Sequence, residues 1–382
     1  MHRIGLNPDE LTRYARQIRL PNVGLSGQER LKRASVLIVG AGGLGSPAAI
    51  YLAAAGVGRI GIADGDRVDA SNLHRQPLYD TRDVGMRKVE SARAALLEIN
   101  PFVAIDAIDA RITSANALDV ISQYDLVIDG TDNFPTRYLL NDACVLTGRA
   151  LVYGSVDRFE GQASVFATSS GPCYRCLYPE PPARGAVQSC AEAGVLGVLP
   201  GLVGTIQATE ALKLILELGD TLEGRLLLID ALSMRFRAIA VDRDPTCPAC
   251  GTRELTALID YETFCNGEPQ HMTDDVATID VRTLHELLNG ENSITLIDVR
   301  EPQEWNIGRI PGARLVPLGT IQSAVASNAI DREADIVLYC HHGTRSEMAT
   351  RFLNHVGFRR VRNLVGGIDR WSIEVDPSVP RY

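Results

Sequence analysis

Short aliphatic runs alternate with longer amphipathic stretches over the first third of the chain. Ala34–Val39 (ASVLIV), Arg59–Ala63 (RIGIA), Val103–Asp109 (VAIDAID) and Asp125–Gly130 (DLVIDG) have the length and apolar content of strands buried on both faces. Between them, Ser46–Val57 and Met86–Asn100 carry helical spacing, and the charge pattern of residues 9–33 predicts helix ahead of the first strand. Alternation of this kind predicts a parallel, doubly wound, Rossmann-like α/β sheet. Its ligands would sit at the carboxyl ends of the strands, where Gly42, Asp64 and Asp132 fall.

The texture changes after Leu151–Val156. The runs QASVFAT, RLLLID and RFRAIAV predict a later, antiparallel portion. Leu177–Glu192 is rich in proline, glycine and small residues and predicts a mobile loop, and a helix is expected from about Thr205 to Leu218. Residues 251–272 show no clean period and predict a linker. A second α/β pattern follows: the helix RTLHELL, the strand Ile294–Val299, the strand Asp335–Cys340 and the helix Thr344–Gly357. The expected organisation is a first domain over 1–250, a linker over 251–272 and a smaller α/β domain over 273–382.

Composition adds exclusions. A net charge of −9 argues against a general nucleic-acid binder. The charged start lacks an apolar signal core, and the longest apolar stretch, Ala193–Ala208, is interrupted by glycine and proline, so neither secretion nor a membrane span is expected and the cytoplasm is. Eight cysteines in such a chain suggest free thiols, metal ligands or catalysis before disulfides. Only three of the 38 basic side chains are lysines, Lys32, Lys88 and Lys213, which singles each of them out.

The first chemistry lies at Gly40–Gly45, GAGGLG, between the first strand and its helix. A strand, a glycine turn and a helix N-terminus set backbone N–H groups against a phosphate. Gly40 permits the turn, Gly42 lets a ligand approach the backbone, and Gly45 lets helix and strand pack. Asp64 and Asp66 follow the next strand and place a carboxylate near a ribose. To this point NAD, FAD and ATP fit equally.

Two Cys-x-x-Cys pairs, Cys173–Cys176 and Cys247–Cys250, suit tetrahedral zinc. With four sulfur ligands no position remains for a catalytic water, so the expected role is a structural clasp across the 70 residues between the pairs. Four further stretches converge on the glycine turn: RYARQ (Arg13–Gln17), SNLHRQ (Ser71–Gln76), VGMRKVE (Val84–Glu90) and GTDN (Gly130–Asn133). Phosphate transfer needs such cations and a carboxylate for magnesium, whereas hydride transfer does not.

In this order, with CYRC and CPAC, the motifs closely resemble the ubiquitin-activating-type adenylyltransferases of the molybdopterin-synthase and thiamine pathways, over about residues 10–250. The resemblance implies ATP-dependent adenylation of the C-terminal glycine of a ubiquitin-like sulfur carrier ending in Gly-Gly. It implies that Asp64 binds the ribose with Gly42, Gly43, Asp66 and Ser71 around it, that Asn72, Arg75 and Lys88 contact phosphates, and that Asp132 holds Mg2+ with Asn133 beside it. Arg16 resembles the arginine that reaches into a neighbouring subunit, which implies a homodimer. Cys190, in the expected loop, matches a cysteine that in relatives with an extra C-terminal domain receives the activated carrier or resolves a disulfide with it.

DVREPQEWNIGRIPGA (Asp298–Ala313), CHHGTRS (Cys340–Ser346) and LVGGIDRW (Leu364–Trp371) together resemble a rhodanese, over about residues 275–380. Cys340 ends a strand, and loop amides with a following helix N-terminus would stabilise charge on its sulfur. Four residues separate Cys340 from Arg345, one fewer than in phosphatase loops, which suits a persulfide sulfur over a phosphate. His341 stands where many relatives have arginine, and Arg309 replaces a usual histidine. His341 and His342 are expected to face solvent.

The sequence therefore predicts a bifunctional adenylyltransferase and sulfurtransferase. It would use ATP, Mg2+ and Zn2+, take sulfur from a cysteine desulfurase or thiosulfate through Cys340 and Arg345, and yield a carrier thiocarboxylate for molybdopterin cofactor or related thiolation pathways. The rival expectations are an NAD-dependent dehydrogenase with a zinc clasp and a non-catalytic scaffold.

Overall fold

The computed structural model describes residues 5–182, 194–266, 276–290 and 294–381. The chain divides into two compact units, Met1–Pro269 and Gln270–Tyr382.

The first unit is built on eight strands: β1 (Ser35–Val39), β2 (Arg59–Ala63), β3 (Ala104–Ile108), β4 (Leu126–Asp129), β5 (Ala150–Asp157), β6 (Glu160–Phe166), β7 (Arg225–Asp230) and β8 (Arg235–Ala240). They lie in the order β3-β2-β1-β4-β5-β6-β7-β8. β1 is central, with Ile38 in register with Ile62 on one side and Ile128 on the other. Its side chains alternate between two cores. Val36 and Ile38 pack with the helices Gly45–Ala55 and Lys88–Ile99, and Leu37 and Val39 pack with Ala117–Ile121 and Phe134–Thr147. Burial on both faces is why these strands read as unbroken apolar runs. β5 pairs antiparallel with β6, β6 with β7 and β7 with β8. The antiparallel portion is thus a continuation of the same sheet.

Two sequence expectations need correction. The helix expected from Thr205 begins at Val198 and runs to Leu216. Pro200 falls in its first turn, where no helical N–H is required. Gly204 is a contact surface: a Cβ there would lie 2.3 Å from the Leu44 carbonyl oxygen. The second correction concerns the expected linker. Its described part, residues 251–266, is docked on the first unit through the helix Tyr261–Asn266. Tyr261 is buried, and its hydroxyl donates to Asp142 at 2.7 Å. Asp142 also takes two 2.8 Å bonds from Arg175, whose guanidinium lies between the rings of Tyr138 and Phe264. Tertiary burial of Tyr261 and Phe264 supplies what the local pattern lacks. The rest of the expected linker, and residues 183–192 of the expected loop with Cys190, lie outside the described residues.

The second unit is a five-stranded parallel sheet in the order β11-β10-β12-β13-β9, with β9 (Thr278–Ile279), β10 (Ile294–Asp298), β11 (Arg314–Leu315), β12 (Asp335–Tyr339) and β13 (Val361–Leu364). Helices Thr344–His355 and Gly367–Glu374 cover opposite cores, with β12 in the middle. Cys340 therefore emerges at the carboxyl end of a central strand. Among the described residues, no helix is long and apolar enough to cross a membrane.

Candidate functional sites

The glycine turn is held by contacts that only small residues allow. Gly40 has φ of +92°, and a Cβ on it would lie 2.7 Å from the Gly130 carbonyl oxygen, so the turns after β1 and β4 touch. A Cβ on Gly45 would lie 1.9 Å from the Gly40 carbonyl oxygen, which is the close strand-to-helix approach expected of that position. The Asp64 carboxylate, at the end of β2, accepts the Ala41 N–H and the Asp66 N–H, each at 2.8 Å. The Tyr79 hydroxyl donates to the Ala41 carbonyl at 2.8 Å from the other side. The turn is thus rigid before any ligand arrives.

Lys88 opens the helix Lys88–Ile99 and is only 6% exposed. Its ammonium lies 3.8 Å from Asp64 and 3.4 Å from Asp66. A lysine at the positive end of a helix dipole is unfavourable for the helix itself and suits a site meant for anions. The stretch Ser71–Gln76 folds over the turn: a Cβ on Gly42 would meet Gln76 Nε2 at 3.7 Å, and one on Gly43 would lie 3.5 Å from the Arg75 carbonyl oxygen and 2.9 Å from Pro200. Asn72 Oδ1 accepts from Arg75 Nη2 at 2.8 Å. The turn that carries Gly42 and Gly43 therefore meets Asp64, with Lys88 and Asp66 beside it, and the stretch that holds Asn72 and Arg75, while Ser71 is exposed. Asp132 and Asn133 follow β4 across the turn. Asp132 is exposed, while Asn133 caps the helix Phe134–Thr147 by accepting from Thr136 N–H at 3.0 Å. Arg16 is exposed on the short helix Ala15–Ile18, apart from this group in sequence and element.

Three supporting residues escaped the sequence. Gln207 is fully buried, and its Nε2 donates to the carbonyls of Asp129 at 2.7 Å and Val152 at 3.1 Å, tying the long helix to two strand ends. Tyr79 holds the glycine turn from behind, and Arg137 is buried beneath the Asp132 turn. None belongs to a local motif; Gln207 lies in the expected helix, where a polar residue between Ile206 and Ala208 was the one available signal.

Cys173, Cys176, Cys247 and Cys250 place their sulfurs within 4.8 Å of one another, with Cys173 to Cys247 at 3.6 Å and Cys176 to Cys250 at 3.3 Å. Sulfurs at the corners of a tetrahedron around zinc stand about 3.8 Å apart for a Zn–S bond of about 2.3 Å. The donor set and its spacing fit that ion. The Asp244 N–H points at Cys176 Sγ at 3.4 Å, an outer contact that favours thiolate.

In the second unit Cys340 is 2% exposed. Gly343, at φ of +105°, turns its N–H to Cys340 Sγ at 3.1 Å, and Ser346 Oγ stands 3.5 Å away. Gly343 caps the helix Thr344–His355, so the loop amide and the helix start face the sulfur as expected. From the other side Ile368 and Asp369 donate N–H groups to the carbonyls of Cys340 and His341. Arg345 is buried and gives both ends of its guanidinium to Glu304 at 2.7 Å. His341 corrects the expectation of solvent exposure. It is half-buried, and burial, with the neighbouring His342, pulls its pKa down to about 4. His342 is exposed as expected. Arg309 lies on the ring of Trp305 at 5.1 Å.

Comparison with known proteins covers both units. The ThiF family profile matches residues 14–249, and the rhodanese-like domain profile matches residues 280–374. The chain is 46% identical over 387 aligned positions to the probable adenylyltransferase/sulfurtransferase MoeZ of Mycobacterium tuberculosis, covering 99% of this chain and 96% of that protein. It is 44% identical to the adenylyltransferase and sulfurtransferase MOCS3 of Drosophila yakuba, covering 99% of this chain and 86% of that one. The sulfur carrier protein adenylyltransferase of Thermus thermophilus is 56% identical over 67% of this chain and 97% of its own. Among solved structures, E. coli MccB with MccA-N7isoASN shares the fold, with a TM-score of 0.57 at 22% identity over 64% of this chain and 76% of that one.

Proposed function

We propose, for a chain that belongs to the ThiF family and carries a rhodanese-like domain, the activation and thiolation of a ubiquitin-like sulfur carrier in molybdopterin-type cofactor synthesis. It is a bifunctional adenylyltransferase and sulfurtransferase. ATP lodges against the glycine turn, and the carrier's C-terminal carboxylate attacks the α-phosphorus. Two anions must approach in that step. Lys88, Arg75 and the N-terminus of the helix Lys88–Ile99 offset the repulsion and stabilise departing pyrophosphate, with little acid–base work. Asp64 orients the ribose. Asp132 is the carboxylate that would hold a magnesium ion, which supplies further charge neutralisation to the phosphates. The four cysteines would hold zinc, which ties Cys173–Cys176 to Cys247–Cys250 and does no chemistry on the carrier.

Sulfur enters at Cys340 as a persulfide, from a cysteine desulfurase or thiosulfate. The outer sulfur attacks the acyl carbon of the adenylate and AMP leaves, which joins carrier and Cys340 through an acyl disulfide. The thiolate of Cys190 then attacks the Cys340 sulfur. The carrier departs as a thiocarboxylate, leaving a Cys190–Cys340 disulfide for an external thiol to reduce. Arg345 acts as a positioning residue for the loop through Glu304. We place the enzyme in the cytoplasm as a homodimer, with Arg16 serving the neighbouring subunit.

The observation that carries this reading is the presence in one chain of the Lys88–Asp64 glycine turn and the Cys340 cradle. A dehydrogenase has no use for the cradle, and a scaffold has none for a buried lysine at a helix start. The test is ATP–pyrophosphate exchange stimulated by a ubiquitin-fold carrier ending in Gly-Gly, followed by mass spectrometry of the carrier. Cys340→Ala should leave exchange intact and abolish the exchange of oxygen for sulfur at the carrier terminus. Thiocarboxylate formed by that variant without added sulfide would refute the transfer step.

A further inference from the structure

Four arginines are buried among the described residues: Arg137, Arg175, Arg300 and Arg345. Three of them pair with a carboxylate within 2.8 Å, Arg175 with Asp142, Arg300 with Asp298 and Arg345 with Glu304. Arg137 does not. It is 7% exposed, its Nη2 reaches the Thr131 carbonyl at a long 3.3 Å, its buried Nε has no partner, and no carboxylate of the described residues forms an ion pair with it. The rings of Phe134 and Tyr153 lie 5.5 and 5.8 Å from the guanidinium carbon. The neighbouring acid, Asp129, is itself fully buried, and its Oδ1 takes the Thr131 N–H and hydroxyl at 2.9 and 2.6 Å. Among the described residues its Oδ2 also lacks a partner, so the two groups sit near each other without meeting.

A buried guanidinium without its anion costs several kcal/mol, and its planar fork matches a carboxylate. This one stands in the first turn of the helix that follows Gly130–Asn133, the turn in contact with Gly40. We propose that Arg137 receives the C-terminal carboxylate of the carrier and holds it beside the nucleotide. The inference rests on the adenylation reading above. Once a carboxylate oxygen bonds to the α-phosphorus and the bond to the bridging oxygen of pyrophosphate breaks, the anionic partner is gone. Arg137 therefore governs capture of the free carrier, not affinity for ATP.

The experiment compares a ubiquitin-fold carrier ending in Gly-Gly with the same protein amidated at its C-terminus, titrated into the full-length chain by calorimetry. Wild type should bind the free acid about tenfold more tightly than the amide. In Arg137→Gln the ratio should fall to about one, with ATP affinity and zinc content unchanged, and Arg137→Lys should recover part of it. A residue that merely props the Asp132 turn would weaken acid and amide alike, and that result overturns the proposal. So does a wild-type chain that does not discriminate between the two termini. If Arg137→Gln fails to fold, the Lys variant decides: a ratio between one and the wild-type value supports the assignment, and a ratio of one with an intact melting temperature overturns it. Absence of carrier-stimulated exchange in the wild type would instead sink the adenylation reading, which separates the two failures.

Discussion

Arg345, buried, and Glu304, partly buried, form a fork-to-fork pair with both N···O distances at 2.7 Å, joining the helix after the Cys340 loop to the helix Pro302–Ile307. Burial opposes the charge on Glu304, but hydrogen bonds from Arg345 and from the Glu301 N–H outweigh it and hold the carboxyl below its ordinary range. Arg345→Ala would leave that partly buried carboxylate with the Glu301 N–H but without its guanidinium, a loss of about 1–3 kcal/mol. The expected result is a lower unfolding midpoint of the second unit and slower persulfide loading of Cys340, with exchange activity unchanged. Because the folded pKa is depressed, this contribution is complete above the unfolded carboxyl value of about 4.3 and fades as pH falls through the folded one. Urea titrations between neutral and acidic pH should show that loss in wild type and not in Glu304→Gln.

His341 gives a second pH dependence, of a different origin. Burial and His342 lower its pKa to about 4, with Asp369 and Glu304 opposing and Arg300 assisting. In the unfolded chain the imidazole takes a proton near pH 6.5. The unfolded state therefore binds more protons between those values, and the stability of the loop falls as pH drops from about 6.5 to about 4. Partial solvent access keeps the effect modest. NMR titration of the His341 ring should show no protonation at pH 6, and a ring titrating at about 6.5 would contradict the burial argument.

Lys88 and Asp132 stand on opposite sides of the glycine turn, one almost buried and one exposed. Lys88→Ala should lower carrier-stimulated ATP–pyrophosphate exchange by about 10²–10³, as loss of one transition-state cation does. Asp132→Ala should raise the magnesium concentration needed for exchange. Neither change should alter zinc content or thiosulfate-dependent loading of Cys340.

The sulfur cluster predicts about one zinc per chain by elemental analysis. Cys176→Ser and Cys250→Ser should each lose it and lower the melting temperature of the first unit. Chelation should also loosen the helix Tyr261–Asn266, because Arg175, between Cys173 and Cys176, carries Asp142 and through it Tyr261. Hydrogen exchange over 258–266 would report that release. Faster exchange confined to the cysteine knuckles would show that the metal and this helix are independent.

The core strands were legible because a strand buried on both faces writes its environment into consecutive residues, as Val36–Val39 do. The glycine turn, each Cys-x-x-Cys pair and the Cys340 loop were legible for a related reason: each is written in residues a few positions apart, although the two cysteine pairs meet only through the fold. The segment 251–266 was not, since Tyr261 and Phe264 acquire their meaning from Asp142 and Tyr138. His341 looked solvent-facing because nothing local shows the helix Gly367–Glu374 closing over its carbonyl.

The amino-acid order by itself determined the alternation of strands and helices, the glycine turn at Gly40–Gly45, the two cysteine pairs and the strand-to-helix loop that begins at Cys340. Short-range spacing specifies these, and short-range spacing is what a linear string contains. Folding in three dimensions decided which charges are compensated. Arg345 gained Glu304 and Arg175 gained Asp142 from distant segments, while Arg137 was buried with no carboxylate of the described residues paired to it. Solvation and ion pairing depend on every element that surrounds a group, so they exist only once the chain has closed around it.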